Sequence, residues 1–556
     1  MKIRIACILF LIILSCKEEK ATDARTPISK SETVIDSTSS AQNDLEAIAT
    51  KDFREFLVLD SKNLTKASIW EAINPQLNDF SEADYNRLKP LIIEQDIMTL
   101  QNHIDDGKLT YELLTKFYLY RIRKYDRENK LSVNSVIAIN PNVIEAAKQH
   151  DAKKNSKSHP IYGMPILLKD NINAEGMATT AGALALQNNY AEDAFIVKQL
   201  KSKGALILGK ANLSEWAYFF CGDCPSGYSA LGGQTLNPYG RRIFDTGGSS
   251  SGSGVAVASN FCAAAIGSET AGSILSPASQ NSVVGLKPTV GLVSRSGIVP
   301  ISSTLDTAGP MTKTVVDNAI VLDAMFGEDQ TDFKSIRALW SSGFYYKDLN
   351  KTSLKGFSFG APKRLMKDSL FATAVAQLKE QGAKIVELEE KEVALPNFIR
   401  LLNLDMKKDL PKYIDDFANV DTPIRTIEDV IRFNKNDSLR TMPYGQKLFV
   451  GIADDQGDER FLEQIKDTLK RSGQLFFDEP MKSYNLDGFL SINNYHAAYA
   501  AVAEYPAITV PMGYTKDGEP KGLTIIASRL KEKQLLTWAY AYEHLAKARR
   551  TPSDYN

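Results

Sequence analysis

Between residues 247 and 289 the chain reads GGSSSGSGVAVASNFCAAAIGSETAGSILSPASQNSVVGLKPT, a Gly/Ser-rich turn, an apolar strip and a second Gly/Ser turn in direct succession. Such an order holds two serine-bearing turns face to face. Gly247 and Gly248 precede three serines, and residues without a Cβ admit positive φ and close backbone approach. Residues 255–258 predict a short buried helix; the apolar strip resumes at Phe261 and Cys262, and residues 263–266 predict a buried strand that ends at Gly267. Residues 268–273 then predict a turn whose successive N–H groups point at one anion. Upstream, GMPILLKDNI sets Lys169 at the end of a predicted strand, residues 165–168. A lysine behind four apolar residues needs a partner or a function.

At these residues the chain resembles the amidase signature family of serine hydrolases, which use a Ser-Ser-Lys triad. The likeness rests on the GGSS turn, a Gly-x-Glu-x-x-Gly-Ser-Ile turn whose serine is Ser273, the run GLKPT at 285–289, and Lys169 eighty residues before Ser249. It extends to KANLSEW at 210–216, GGQTLNP at 232–238, DTAGPM at 306–311 and YPAITVPMGY at 505–514. TVGLVSRSGIVPIS at 289–302 is most similar to bacterial peptide amidase-like members. The fold this implies is α/β, a three-layer α/β/α sandwich around a large mixed twisted sheet. Length alone would suggest two to four domains; the resemblance implies one catalytic domain over residues 91–556.

Amide hydrolysis needs a nucleophile, a group to take its proton, a proton for the leaving amine, and donors for the oxyanion. The resemblance implies Ser273 as nucleophile, Ser249 as a bridging serine preceded by a cis peptide bond, and Lys169 as base. The N–H groups of Thr270, Ala271, Gly272 and Ser273 would form the oxyanion hole. Neutral Lys169 takes the proton of Ser249 as Ser249 takes that of Ser273, then returns it to the leaving nitrogen. Its pKa must therefore fall well below the free value of ~10.4, which burial achieves by disfavouring the ammonium. No cofactor and no metal enter this scheme. Seen singly, a Gly/Ser run is more often a linker and a lysine more often a surface ion; the three in order carry the reading. Many relatives close the nucleophile turn with Arg where this chain has Leu275, and Ser268 stands where Thr is frequent.

Of five cysteines, Cys262 in its apolar run reads as an inert buried thiol. Cys221 and Cys224 read as a small disulfide slightly ahead of free thiols, and no suitably spaced second pair makes a zinc site. The five histidines lie outside any hydrolase-elbow context, which argues against Ser-His-Asp chemistry.

Lys2 and Arg4, the apolar run 5–14 and Ser15-Cys16 form a secretory signal too short for a permanent span. The ending resembles a bacterial lipobox, which implies cleavage after residue 15, lipid on Cys16, and an extracytoplasmic protein anchored to a bacterial membrane, the outer one favoured. An ordinary cleaved signal or an uncleaved anchor is the plainer alternative. Residues 16–50 lack the apolar content to fold and read as a tether, and 51–90 as a helical extension. A net charge of −1 gives no electrostatic reason to expect nucleic acid.

Elsewhere Ile97, Leu100 and Ile104 share one helical face, and Leu113, Phe117 and Tyr120 a second. A strand, helix, Gly382, strand pattern runs over 356–388, and the charged, helical stretch 390–480 is expected to shape the substrate cleft. The expected substrate is a small carboxamide or short peptide amide, with Gln234 and Asn237 as candidate partners of a peptide backbone. Two other functions compete: an amidotransferase A-type component, against which the signal and Leu275 count, and a catalytically silent binding lipoprotein, against which the intact Lys169, Ser249 and Ser273 count. Oligomeric state is left open.

Overall fold

A computed structural model describes residues 56–127, 130–153, 159–337, 343–351 and 353–556. The signal, Cys16 and the tether lie outside the described residues. In chain order the strands are β1 Val136–Ile139, β2 Pro165–Lys169, β3 Leu206–Ala211, β4 Tyr228–Ser229, β5 Gly233–Gln234, β6 Ala264–Glu269, β7 Val284–Lys287, β8 Thr307–Thr312, β9 Ser358–Pro362, β10 Lys384–Leu388, β11 Gly488–Ile492, β12 Ala507–Tyr514 and β13 Pro520–Ala527. β4 and β5 form a small hairpin, and the other eleven make one sheet in the order β1-β3-β2-β6-β8-β7-β12-β13-β11-β9-β10. The sheet is mixed: β3, β2 and β6 run parallel, as do β11, β9 and β10, while the middle from β6 to β11 is antiparallel. Every residue of β2, β3, β6, β7, β8, β9 and β11 is buried. Strands buried throughout must be covered on both faces, which gives the expected three-layer α/β/α sandwich.

β2 carries Lys169 as its last residue, as the four apolar residues before it require. Two boundaries near the serine turns differ from expectation. β6 does not stop at Gly267 but continues through Glu269, because its antiparallel pairing with β8 runs to Glu269 opposite Thr307. The helix of the apolar strip, Ser251–Ala258, begins four residues earlier than the apolar pattern starts. A Cβ on Gly252 would lie 2.4 Å from the Asn212 carbonyl oxygen and 2.5 Å from that of Ser135, so this first helical turn packs against backbone. Side-chain size, which periodicity reads, is excluded there.

Near the N-terminal end, Lys66–Trp70 and Glu82–Ile92 are the expected short helices, the second closed by a Ser81–Asp84 capping box. Ile97–Asp105 buries Ile97, Leu100 and Ile104 as expected. The helix Tyr111–Tyr125 is rotated from the expected face: Leu114, Phe117, Tyr118 and Ile122 are buried, with Arg121 among them. Arg121 explains the rotation, since its guanidinium donates to the Ser259 carbonyl at 2.8 Å, to Tyr85 and to the Tyr555 carbonyl. A polar residue with three buried partners outweighs the hydrophobic preference of Tyr120, whose hydroxyl donates to Glu82 at 2.5 Å instead.

The strand–helix–strand pattern appears as β9, Ser369–Glu380 and β10. Residues 390–480 hold the helices Phe398–Phe417, Ile427–Lys435, Lys447–Asp454 and Glu459–Tyr484, whose Leu401, Leu410, Phe449, Ile452 and Leu462 build a second apolar cluster with Trp216 and Phe220.

Candidate active site

Parallel pairing of β2 with β6 brings the end of one strand beside the end of the other, so Lys169 meets the turn that follows Ser268. Its Nζ donates to the Ser249 hydroxyl at 2.7 Å, to the Ser268 hydroxyl at 2.8 Å and to the Ser268 carbonyl at 3.0 Å. Lys169 and Ser249 are both 0% exposed. No carboxylate is within hydrogen-bond reach of that amine among the described residues. Burial pulls its pKa down to about 7, while the charges of Asp306 and Glu269 oppose the fall from a distance. The site therefore offers a substantially neutral amine at neutral pH.

The peptide bond Gly248–Ser249 is cis, and Gly247 has φ +63°. A Cβ on Gly247 would lie 2.7 Å from the Pro277 nitrogen, so glycine is required both by conformation and by the approach of the helix Leu275–Gln280. The turns are joined by backbone: Ser250 N–H donates to the Ser273 carbonyl at 3.1 Å. The Ser250 hydroxyl adds a double contact to Ser268, accepting its N–H at 3.2 Å and donating to its carbonyl at 3.0 Å. The two turns are thus face to face as expected, although no hydrogen bond links the hydroxyls of Ser249 and Ser273 to each other among the described residues.

Thr270, Ala271, Gly272 and Ser273 follow β6 directly. Among the described residues none accepts a hydrogen bond from their four N–H groups. Glu269 takes the next two, those of Ile274 and Leu275, on one carboxylate oxygen at 2.7 and 3.0 Å. Asp306 accepts the Thr270 hydroxyl at 2.6 Å and the N–H groups of Ile301 and Ser302 at 2.8 and 2.9 Å, and burial raises its pKa. Four consecutive free donors are in this way held on a turn pinned at both ends.

Sequence reasoning did not single out the roles of Ser250, Ser268, Asn171, Glu269 or Asp306. Asn171 donates to the Ser268 hydroxyl at 2.9 Å and so shares that acceptor with Lys169. For Ser268 the signal was present, a hydroxyl kept at a position where relatives keep one. Gln234 and Asn237 are the clearest correction. Both are buried structural residues: Gln234 donates to the Ser226 and Thr235 carbonyls, and Asn237 to the Asp245 and Gln280 carbonyls. They pin loops whose backbone would otherwise be unsatisfied, and are not presented to a substrate.

A solvent-open cleft of about 800 Å3 reaches Asn171, Ser268, Thr270 and Asp306 from the outside. Its far wall is the helix Phe398–Phe417, through Asp409, Lys412, Tyr413 and Phe417, so the 390–480 stretch shapes the cleft as expected. The loop at 295–303 forms the floor. Nearby, Cys221 and Cys224 are joined as a disulfide and Cys262 is a buried free thiol. Among the described residues no group of histidine, cysteine and acidic side chains is arranged to hold a metal ion.

The amidase family profile matches residues 114–450. A protein of Arabidopsis thaliana named as a probable amidase is 35% identical over 83% of this chain and 92% of its own length. A putative amidase of Schizosaccharomyces pombe is 34% identical over 82% of this chain and 86% of its own. Proteins of the glutamyl-tRNA(Gln) amidotransferase match at lower identity, the one from Exiguobacterium sibiricum at 29% over 81% of this chain and 97% of its own. Among solved structures, an amidase family protein from Bacillus anthracis superposes with a TM-score of 0.85 at 37% identity, covering 89% of this chain and all of its own. The peptide amidase of Stenotrophomonas maltophilia superposes with a TM-score of 0.77 at 38% identity, covering 83% and 98%. With this buried amine, these paired serine turns and this likeness over most of its length, the chain belongs to the amidase family and is an amide hydrolase.

Proposed function

We propose that the reaction runs through an acyl-enzyme on Ser273, with Ser249 as bridge and Lys169 as base. The observation that supports this most is the 2.7 Å contact between a fully buried amine and the Ser249 hydroxyl, with only hydroxyls and a carbonyl around that amine. Neutral Lys169 draws the Ser249 proton, Ser249 draws that of Ser273, and the Ser273 oxygen attacks the carboxamide carbon. The developing oxyanion is met by the N–H groups of Thr270, Ala271, Gly272 and Ser273, whose lack of internal partners suits that role. Lys169, now an ammonium, returns its proton through Ser249 to the leaving nitrogen. Water repeats the sequence on the acyl ester. The hydroxyl-to-hydroxyl step needs a hydrogen bond between Ser249 and Ser273, a contact of the kind that tightens only once substrate is bound.

For the substrate we favour a short peptide amide, because of the likeness to the Stenotrophomonas peptide amidase. A fluorophosphonate probe tests the nucleophile: labelling at Ser273 is expected, and labelling that persists in Ser273→Ala rejects the assignment. The N-terminal segment supports export and lipid attachment at Cys16; Cys16→Ser should then accumulate as unprocessed precursor, and an unmodified Cys16 in the mature protein rejects it.

A further inference from the structure

Side-chain donors that line the cleft are largely spent within the protein. Arg295 is bound to Asp332 and the Ser303 carbonyl, Ser302 donates to Asp405, Tyr413 to Asn173 and Lys412 to Asp416. The acceptors are in the opposite condition. Asn171 commits its Nδ2 to Ser268 and Val299, which leaves its Oδ1 buried without a partner. Asp409 receives only the neutral Ser303, whose N–H lies 2.6 Å from one carboxylate oxygen. Among the described residues no cation pairs with it, for Lys412 is held by Asp416 and Lys466 lies against Asp405 and Glu463. Asp409 is nevertheless 9% exposed, and burial next to Asp405 pushes its carboxyl up to about 7. A buried carboxylate without a counter-ion is costly, and a cation brought to it from outside would relieve that cost.

We propose that the cleft holds a subsite for a positively charged group on the acyl part of the substrate, the α-ammonium of a short peptide amide, and that Asp409 receives it. This rests on the amide-hydrolysis reading above and adds the chemistry at the far end of the acyl group. Three observations converge on it. The cleft runs from Thr270, first of the free N–H groups, to the helix that carries Asp409, so one bound molecule can touch both. The side-chain groups left unmatched along that path, Asn171 Oδ1 and the Asp409 carboxylate, are acceptors, and a peptide supplies donors: backbone N–H to the first, ammonium to the second. A fatty acyl chain would satisfy neither and would leave both desolvated.

The test compares one dipeptide amide with a free amino terminus against the same peptide N-acetylated, on the purified protein near pH 7.5. The free form is expected to have the higher kcat/KM by about tenfold, expressed chiefly in KM, because the contact is made in ground and transition states alike. Asp409→Asn, which can still accept the Ser303 N–H, should bring that ratio to about one; Asp409→Glu, which keeps the charge, should retain a preference. Fluorophosphonate labelling reports whether each variant is folded, and the wild-type ratio stands whatever the variants do. Equal rates for the two peptides in wild type, or a preference that survives Asp409→Asn, overturns the subsite and leaves amide hydrolysis intact. Failure to hydrolyse either peptide overturns the reading beneath it as well.

Discussion

Two lysines sit on neighbouring parallel strands, Lys169 on β2 and Lys210 on β3, and both are 0% exposed. They differ in what surrounds the amine. Lys210 donates to the Ile172 carbonyl at 2.6 Å and the Thr179 hydroxyl at 2.7 Å, and the buried carboxylate of Asp170 lies 3.4 Å away. Burial pulls both lysines toward neutrality, and only at Lys210 does an adjacent carboxylate resist it. Residue type and burial are the same; the position of one carboxylate separates a structural ion from an available base. The chain places that carboxylate one residue after Lys169, on the side facing the other lysine.

The comparison is broken most severely by Ser273→Ala, which removes the atom Lys169 is proposed to serve: activity should disappear and probe labelling with it. Lys169→Met comes next. Losing a general base costs about 10^2–10^4-fold in rate, whereas stability should barely change, since a neutral buried amine gives way to an apolar chain of similar volume. Lys210→Met should behave in the reverse sense. It strands the Asp170 carboxylate and should cost about 3–5 kcal/mol in urea denaturation, with much of that recovered in Lys210→Met/Asp170→Asn. Equal stability losses in the two single variants would remove the distinction between the two amines. In wild type, kcat/KM should rise about tenfold per pH unit below the Lys169 pKa of about 7 and level off above it, because the neutral amine is the active form. Lys169→Met should show no such limb. Ser268→Ala sharpens the point with the smallest effect: its hydroxyl accepts from the amine and favours the ammonium, so its loss should move the limb to lower pH by up to about one unit.

The serine turns, β2 and the β9–β10 unit were legible because local sequence decides them: glycine pairs, apolar runs and a helix closed by Gly382. Lys169 was legible as a buried amine for the same reason. What escaped is set by partners distant in sequence. The face of the helix Tyr111–Tyr125 depends on Arg121 finding the Tyr555 carbonyl 434 residues away. The start of the helix Ser251–Ala258 depends on the backbone of Asn212 and Ser135. Gln234 and Asn237 looked like recognition groups because loop amides often are; only the carbonyls they meet show them to be internal ties. Ser268 and Asn171 belong to the site through the pairing of β2 with β6, which no single stretch of sequence encodes.

The strand order has a consequence for how the molecule is made. β7, near the middle of the sheet, is flanked by β8, about twenty residues on, and by β12, whose Ala507 pairs with Lys287. A chain leaving the ribosome from its N-terminus presents β7 long before β12 exists. Through that interval the central strand has one open edge, an exposed row of backbone donors and acceptors flanked by apolar side chains. Completion of the sheet is therefore an event that follows synthesis, and the half-built sheet is the species with most need of a chaperone.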